Sequence, residues 1–272
     1  MRWLWLLMAC HLFGEMEQKI FPLTAEMIDV VIPYHRKDAG TLEWCIEGIR
    51  KYAMNVRRIV VVSEARPTEN AEWFDEANFP FTKEDLILEI GVDVDELPES
   101  RLNSVYQKLL KLYAPFVVPQ ISTNVLVVDS DVVFLNLVDF ITSDGFPCFN
   151  FGSKNKQEHF DHMGKLVRGL GRAHSNYSGI THQMLFQRPI LEDLFALIQE
   201  QHGVEPWRAI CRIDKAYFSE YELYFNFALQ RTPQARMRRL KWCDLSGLVA
   251  LPRYKKQYYA YVALHRSMRS GG

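Results

Sequence analysis

From Met27 onward, short apolar runs alternate along the chain with segments in which apolar residues recur every three or four positions. An apolar run of about four to eight residues is typical of a buried strand, and the longer period is typical of an amphipathic helix. Their alternation indicates βαβ units and therefore an α/β protein with a mainly parallel central sheet flanked by helices. The runs that predict strands are residues 29–33, 58–63, 86–91 and 124–134.

Amphipathic periodicity predicts helices over residues 42–53 and 102–113. Lys108 and Lys111 fall on the polar face of the second of these helices, so we expect both side chains to be exposed. The second half of the chain is less regular. Its predicted elements are a short strand at 146–151, a polar surface loop with some helix at 154–172, and helices at 190–201 and 219–231.

No internal repeat, low-complexity segment or linker rich in Pro, Gly and Ser interrupts the chain. We therefore predict one domain over residues 27–272, preceded by a leader or peripheral segment at 1–26. Residues 1–13 are apolar, but they are fewer than the roughly 20 residues that span a bilayer. They fit a lipoprotein-like signal that ends at Cys10, an anchor, or an amphipathic leader that packs on the domain or rests on a membrane surface.

The charge of the chain is nearly balanced, with 32 Lys and Arg against 33 Asp and Glu and a formal net charge of −1. Such a chain has no overall field that attracts a polyanion, so we expect no nucleic-acid partner. The five cysteines are scattered, with no C-x-x-C pair that would bind zinc or carry redox chemistry. We interpret them as buried thiols of a reducing compartment, which predicts a cytoplasmic protein and leaves peripheral membrane contact open.

Asp129 and Asp131 stand one residue apart at the downstream end of the most apolar predicted strand. Side chains two positions apart on a strand point to the same side, and ligands of open α/β sheets bind at the carboxyl ends of strands. Two carboxylates there suit a hard divalent cation, Mn²⁺ or Mg²⁺, that keeps positions for the phosphate oxygens of a substrate. The plain alternative is a turn at the sheet edge with two solvated acids.

One enzyme class with this pattern is the haloacid-dehalogenase-like phosphatases, in which a D-x-D-x-V/T sequence follows a buried strand. Residues 129–133 (DSDVV) fit that pattern. That fold usually opens with the strand that carries the motif, and it needs a later acidic pair for its metal. Here three predicted strands come first and no D-D or G-D-x-x-x-D follows, so the phosphatase is the alternative interpretation.

The position of the acidic pair instead resembles the GT-A glycosyltransferases, in which a nucleotide-binding half leads to a D-x-D motif that holds Mn²⁺ or Mg²⁺ on the diphosphate of a sugar donor. Four segments add to the resemblance, and they also resemble an uncharacterised family of presumed D-x-D glycosyltransferases of bacteria and viruses. They are residues 29–38 (DVVIPYHRKD), 106–113 (YQKLLKLY), 178–186 (SGITHQMLF) and 219–224 (SEYELY).

The resemblance implies a Rossmann-like GT-A fold and a hexosyltransferase-like enzyme. Such an enzyme moves a sugar from a nucleotide diphosphate sugar to a hydroxyl of a glycan or lipid-linked acceptor. The resemblance also implies a metal held by Asp131, His265 and Asp129, which would neutralise the charge that builds on the leaving diphosphate. A surface histidine in a basic tail is the alternative for His265. A sugar-nucleotide-binding protein that kept the scaffold and lost turnover is a further alternative for the whole chain.

Five more residues are candidates for binding the donor. Tyr34, His35 and Glu64 follow the first two predicted strands, so we expect them to border the nucleoside. Lys111 is a candidate phosphate ligand, although solvation on an exposed face explains it equally well. His182 lies in a short loop that would present it to the sugar, and its alternative is a core histidine with satisfied hydrogen bonds.

Glu220 and Glu222 are the candidate catalytic acids. In GT-A enzymes an acid at the start of a helix in this part of the chain binds the acceptor hydroxyl and, in inverting members, removes its proton. Ser219 and Glu222 also form a capping-box pattern, which explains Glu222 without any chemistry. Acids at a helix start are in addition favoured by the helix macrodipole.

Overall fold

The computed structural model describes residues 16–92, 97–154 and 156–264 of the chain. The strands in these ranges are β1 Ile28–Pro33, β2 Val56–Ser63, β3 Glu72–Asp75, β4 Asn124–Val128, β5 Val132–Phe134, β6 Cys148–Phe149, β7 Gln183–Gln187, β8 Arg236–Met237, β9 Trp242–Asp244 and β10 Tyr261–Ala263. The helices are α1 Leu42–Tyr52, α2 Lys83–Ile90, α3 Glu99–Val117, α4 Gln157–Leu166, α5 Arg188–His202, α6 Pro206–Arg212, α7 Glu220–Arg231 and α8 Leu251–Lys256.

Five of the strands form the central sheet, in the order β3-β2-β1-β4-β7. The first four are parallel, and β7 closes one edge antiparallel to β4. All six residues of β1 are buried, as expected for a strand covered on both faces. The order of strands along the chain reverses between β1 and β4, and ligand crevices open at such switch points. The predicted α/β fold with a mainly parallel sheet is confirmed.

Helices and a second sheet cover the two faces of the central sheet. On one face, residues such as Val31 share a core with Leu109 of α3 and Phe227 of α7. On the other face, α1 packs between the sheet and β5. At Gly48 the α1 backbone comes so close to β5 that an added Cβ would lie 2.8 Å from the backbone nitrogen of Phe134.

Residues 86–90 belong to helix α2, so the strand predicted at 86–91 is wrong. The Thr82 hydroxyl accepts a hydrogen bond from the backbone N–H of Asp85, and the Asp85 carboxylate accepts one from the backbone N–H of Thr82. The helix ends at Gly91, whose φ of 67° is left-handed. This capping box and glycine cap decide the conformation of the short apolar run. The third parallel strand is β3, which the apolar pattern missed because none of its residues is buried.

The apolar run at residues 124–134 is two strands rather than the single one predicted. β4 belongs to the central sheet, whereas β5 pairs with β10 in a three-stranded sheet of order β5-β10-β9. A further small sheet pairs β6 with β8. The turn between β4 and β5, residues 129–131, therefore lies where the chain passes from one sheet to the other.

Other predicted elements are present with shifted bounds. The helices predicted at 42–53, 102–113, 190–201 and 219–231 are α1, α3, α5 and α7, the strand at 146–151 shortens to β6, and the polar stretch 154–172 contains α4. Part of the predicted leader packs on the domain, since Phe21 is buried and its backbone N–H and C=O both bond the amide of Gln234. Residues 1–13, with Cys10, lie outside the described residues.

No helix in the described part of the chain is long and apolar enough to cross a membrane. Four cysteines lie in the described ranges, and all four are free thiols. Cys45 and Cys211 are buried, whereas Cys148 and Cys243 are half-buried. The prediction of buried thiols therefore holds for two of them.

Candidate active site

A cleft of about 220 Å³ lies beyond the carboxyl ends of β1 and β2. Tyr34 and His35 enter it directly after β1, and Glu64 enters it directly after β2. Basic side chains also line it, among them Arg66 and Lys83. The three residues predicted to border a nucleoside are thus brought together, because parallel strands end at the same edge of a sheet.

The acidic turn, residues 129–131, is fixed by hydrogen bonds to three distant segments. The backbone N–H of Asp129 donates to the carbonyl of His182 at 2.9 Å. The Ser130 hydroxyl donates to the buried carboxylate of Asp38 at 2.9 Å. The backbone N–H of Leu264 donates to the carbonyl of Asp131 at 2.9 Å. Because these contacts come from segments after β1, before β7 and after β10, the turn has one defined shape.

The carboxylate of Asp129 is bonded on both oxygens. Its Oδ1 accepts from the ammonium of Lys111 at 2.5 Å and from the phenol of Tyr221 at 3.0 Å. Its Oδ2 lies 3.0 Å from Nδ1 of His182. Burial opposes ionisation, but the charge of Lys111 and the hydrogen bond from His182 hold the pKa of Asp129 well below its usual range. Asp129 is therefore ionised at neutral pH.

Lys111 is buried, so the prediction of an exposed face at this position is wrong. Only 4% of the residue is accessible, and its ammonium lies 2.5 Å from Asp129 and 2.6 Å from Glu220. Burial lowers the pKa of Lys111, and the two neighbouring carboxylates raise it more, to above its usual value. The start of α7 covers this face of α3 and supplies both Glu220 and Tyr221, whose ring lies under the ammonium at 4.4 Å. The polar pattern of α3 alone carries no signal of that partner.

His182 takes part in the same network from the opposite side. It is 5% accessible and has a φ of 63°, in the left-handed region. Its Nε2 lies 3.3 Å from the ammonium of Lys154 and 3.5 Å from Oδ1 of Asp244, and its ring meets Trp242 edge-on at 5.4 Å. Strained backbone of this kind concentrates at functional sites. Sequence reasoning missed the last three residues, which lie in loops or on the short strand β9.

Glu222 has other partners than Glu220. Its carboxylate accepts hydrogen bonds from the hydroxyl of Ser178, from the backbone N–H of Gly179 at 3.1 Å and from the amide of Asn226 at 3.0 Å. Burial raises its pKa, and these three hydrogen bonds offset only part of the rise. The backbone N–H of Glu222 donates to the Ser219 hydroxyl at 3.3 Å, which is one half of the predicted capping box. The side chain of Glu222 thus ties α7 to the loop before β7.

The fit of a divalent cation rests on the acidic turn. Within the described ranges, no three His, Cys, Asp or Glu side chains are grouped so that they could hold a metal ion. His265, the third ligand predicted from the sequence, lies outside the described residues. Asp131 and Asp129 supply the hard carboxylate oxygens that Mn²⁺ and Mg²⁺ take. Asp129 already receives three hydrogen bonds, which leaves its carboxylate oxygens fewer positions for a cation.

No family model matches the sequence, and no curated protein matches it. Among solved structures, the apo form of mouse xyloside xylosyltransferase 1 is similar over 89% of this chain and 98% of that chain, with a TM-score of 0.46 and 10% sequence identity. A similarity of this size establishes neither a family nor an activity for this chain.

Proposed function

We propose that this chain is a metal-dependent glycosyltransferase of the GT-A type, which moves a sugar from a nucleotide diphosphate sugar to a hydroxyl acceptor. The observation that carries the proposal is the position of the acidic turn at the carboxyl end of β4, next to β1 at the switch point of the sheet. A polar cleft opens beside it, beyond β1 and β2. Nucleotides bind at this place in doubly wound sheets.

The donor would lie across the switch point. The nucleoside would occupy the cleft of Tyr34, His35 and Glu64, and the diphosphate would point toward the acidic turn. His182 faces Asp129 from the other side of the turn, so it would border the sugar. Lys111, whose ammonium is already bonded to two carboxylates, would act on the donor through Asp129 rather than by touching phosphate.

Asp131 and His265 would hold Mn²⁺ or Mg²⁺, with Asp129 beside them. When bound, the cation would neutralise the charge that builds on the leaving diphosphate. Support for this assignment comes from Leu264, which precedes His265 in the chain and bonds the backbone of Asp131. The protein itself contributes by fixing the ionised carboxylate of Asp129 between Lys111, Tyr221 and His182, because preorganised charge needs no rearrangement during reaction.

A thermal-shift panel of nucleoside diphosphates, with Mn²⁺ or with EDTA, tests the proposal. A ligand at about 100 times its dissociation constant adds about 2.7 kcal/mol to the free energy of unfolding. At about 2–4 °C per kcal/mol for a chain of this size, we expect Tm to rise by about 5–11 °C with Mn²⁺ and much less with EDTA. Asp131→Asn should lose the part of this rise in Tm that depends on Mn²⁺. The matched control Asp139→Asn, at an exposed neighbouring position, should keep the full rise.

Three other results would contradict the proposal. Equal rises in Tm with Mn²⁺ and with EDTA would show that the metal has no part in binding the nucleotide. Hydrolysis of aryl phosphates with an aspartyl-phosphate trapped at Asp129 would establish the phosphatase instead. For catalysis itself, the donor is the nucleotide sugar that contains the most stabilising nucleoside diphosphate. Asp131→Asn should slow release of sugar from it by about 10² or more, which is about 2.7 kcal/mol of transition-state stabilisation. If the protein binds the donor but shows no turnover under any condition, it is the sugar-nucleotide-binding protein that lost catalysis.

A further inference from the structure

A cavity of about 640 Å³ lies next to the segment that leads into α7 and has no role in the donor site described above. The first turns of α3 and α4 and residues 216–218 enclose it. The side chains that define its chemistry are Arg101, Ser104, Lys108, Lys156, His159 and Phe218.

The cavity carries an excess of positive charge. Lys108 donates to the carbonyl of Phe218 at 2.8 Å, and Arg101 donates to the carbonyl of Lys215 at 2.5 Å. Among the described residues, neither of these cations nor Lys156 forms an ion pair with a carboxylate, although the acid Glu158 also lines the cavity. The charges of Lys108 and Arg101 are therefore held in place by neutral carbonyl groups. All three charges remain available to an anion.

Electrostatic effects on two of these side chains support this description. Burial lowers the pKa of Lys108, and repulsion from Lys111, Lys156 and Arg101 adds to that effect against the attraction of Glu220. Burial also lowers the pKa of His159 to about 4, with further repulsion from Lys108 and Lys156. The Nδ1 atom of His159 is buried without a hydrogen-bond partner within the described ranges. The site thus combines a positive field with an unsatisfied polar atom.

The backbone that leads into the cavity is strained. Asp214, Lys215 and Ala216 are consecutive residues with φ of 46°, 53° and 58°. Each non-glycine residue in the left-handed region costs about 1–2 kcal/mol. Such runs persist where the surroundings fix them, and they cluster at ligand-binding segments. Here the strained run directly precedes Tyr217 and Phe218, which form one wall of the cavity.

The cavity adjoins the network around Asp129. Lys108 and Lys111 are three positions apart on α3, so they lie on adjacent turns of one helix face, separated by a rise of about 4.5 Å. Phe218 lines the cavity, and Glu220 follows it by two positions and bonds Lys111. A molecule in the cavity would therefore have one end close to the reacting end of the donor.

We propose that this cavity is the acceptor subsite and that it binds an acceptor carrying an anionic group, a phosphate or a carboxylate, through Lys108, Arg101 and Lys156. The proposal rests on the glycosyltransferase function proposed above, and it names the acceptor class for that same site. The hydroxyl that receives the sugar would lie toward Glu220, and the anionic group would lie toward Lys156 at the outer end.

Calorimetric titration tests the proposal, with the donor site filled by the stabilising nucleoside diphosphate and Mn²⁺. The probes are glucose 6-phosphate, glucuronate, methyl glucoside and inorganic phosphate. We expect the two anionic sugars to bind at least tenfold more tightly than methyl glucoside. Lys108→Met and Lys156→Met should each weaken their binding by at least fivefold, whereas Lys256→Met, at an exposed position of α8, should leave it unchanged. Because Lys156 is exposed, its variant folds even where Lys108→Met does not.

Several results would overturn the acceptor subsite. These are equal binding of charged and neutral sugars, anion binding that does not depend on Lys108 or Lys156, and inorganic phosphate binding as tightly as glucose 6-phosphate. The proposed function fails in a different way, which is the absence of any stabilisation by a nucleoside diphosphate with Mn²⁺. If the protein binds glucose 6-phosphate through Lys108 but binds no nucleotide, the cavity is still an anionic-sugar site. The glycosyltransferase function is then contradicted.

Discussion

Glu220 and Glu222 stand two positions apart at the start of α7, and both are almost fully buried, yet their surroundings differ in kind. Glu220 shares the ammonium of Lys111 with Asp129. Glu222 has neutral partners, which are a hydroxyl, a backbone N–H and a side-chain amide. One carboxylate therefore belongs to a charged network at the acidic turn, and the other is a structural bond between α7 and the loop before β7.

The difference teaches that position at a helix start does not assign a role to an acid. Both residues satisfy the preference for acids near the positive end of the helix macrodipole. What separates them is the side of α7 on which each lies, since one faces α3 and the other faces Gly179. At Gly179 the loop comes so close to α7 that an added Cβ would lie only 2.6 Å from the backbone carbonyl of Tyr221. We therefore predict an electrostatic role for Glu220 and a structural role for Glu222.

The largest effect that would test this comparison is removal of Lys111. Lys111→Met leaves the half-buried Asp129 and the buried Glu220 without their cation, and breaking a buried ion pair on one side costs about 3–5 kcal/mol. At about 2–4 °C per kcal/mol, Tm should fall by about 6–20 °C. The double variant Lys111→Met/Glu220→Gln should recover part of the loss, because it removes one of the two stranded charges. A Tm unchanged in the single variant would contradict the network.

The next effect concerns turnover in Glu220→Gln. Glutamine can still accept from the ammonium of Lys111, so the fold should be retained, but Lys111 then neutralises Asp129 alone. We expect the rate of sugar release from the donor to fall by about 10², which is about 2.7 kcal/mol. The rate should be measured beside a thermal melt in the same buffer. Normal turnover in Glu220→Gln would place the acid of this site elsewhere.

Glu222→Gln should show the opposite balance between stability and rate. The amide presents one acceptor oxygen where the carboxylate had two, so at least one of the three donors loses its partner. Leaving a buried donor unsatisfied costs about 1–3 kcal/mol, which chemical denaturation would measure. Turnover should stay within about threefold of the native rate. Loss of transfer with native stability in Glu222→Gln would exchange the roles of the two acids.

The smallest effect is the dependence of that stability loss on pH. The pKa of Glu222 is raised by burial, so the folded state binds its proton before the unfolded state as the pH falls. The native protein then gains stability from this group between neutral pH and the usual acid value of about 4.3, and the glutamine variant does not. The difference in unfolding free energy between the two proteins should therefore grow as the pH falls. A difference that shrinks would reverse the sign of the shift.

Much of the central sheet could be predicted because its strands are long apolar runs. β1, β2 and β4 are each buried over most of their length, and short apolar runs that alternate with amphipathic helices favour buried strands. β3 has no buried residue, so its place in the sheet depends on pairing with β2, which no local pattern records. The α2 helix was predictable in principle, since Thr82, Asp85 and Gly91 carry both of its caps.

The sequence indicated several residues of the candidate site, but it did not indicate the hydrogen bonds and ion pairs that link them. Asp129 and Asp131, and the cleft residues Tyr34, His35 and Glu64, follow buried strands, and their positions could be inferred from the carboxyl ends of those strands. Lys111 could not be placed in this way, because its burial depends on α7, which lies far away in sequence and packs on α3. Asp244 and Trp242 were missed because β9 is only three residues long.

The bond between Leu264 and Asp131 has a consequence for the order in which the molecule is completed during synthesis. β10 is the middle strand of the second sheet and pairs with β5. All five strands of the central sheet leave the ribosome before β10 does, so the sheet can form while the acidic turn still lacks one of its three anchors. A chain that stopped before residue 261 would contain every strand of the central sheet, but its acidic turn would lack the hydrogen bond from Leu264.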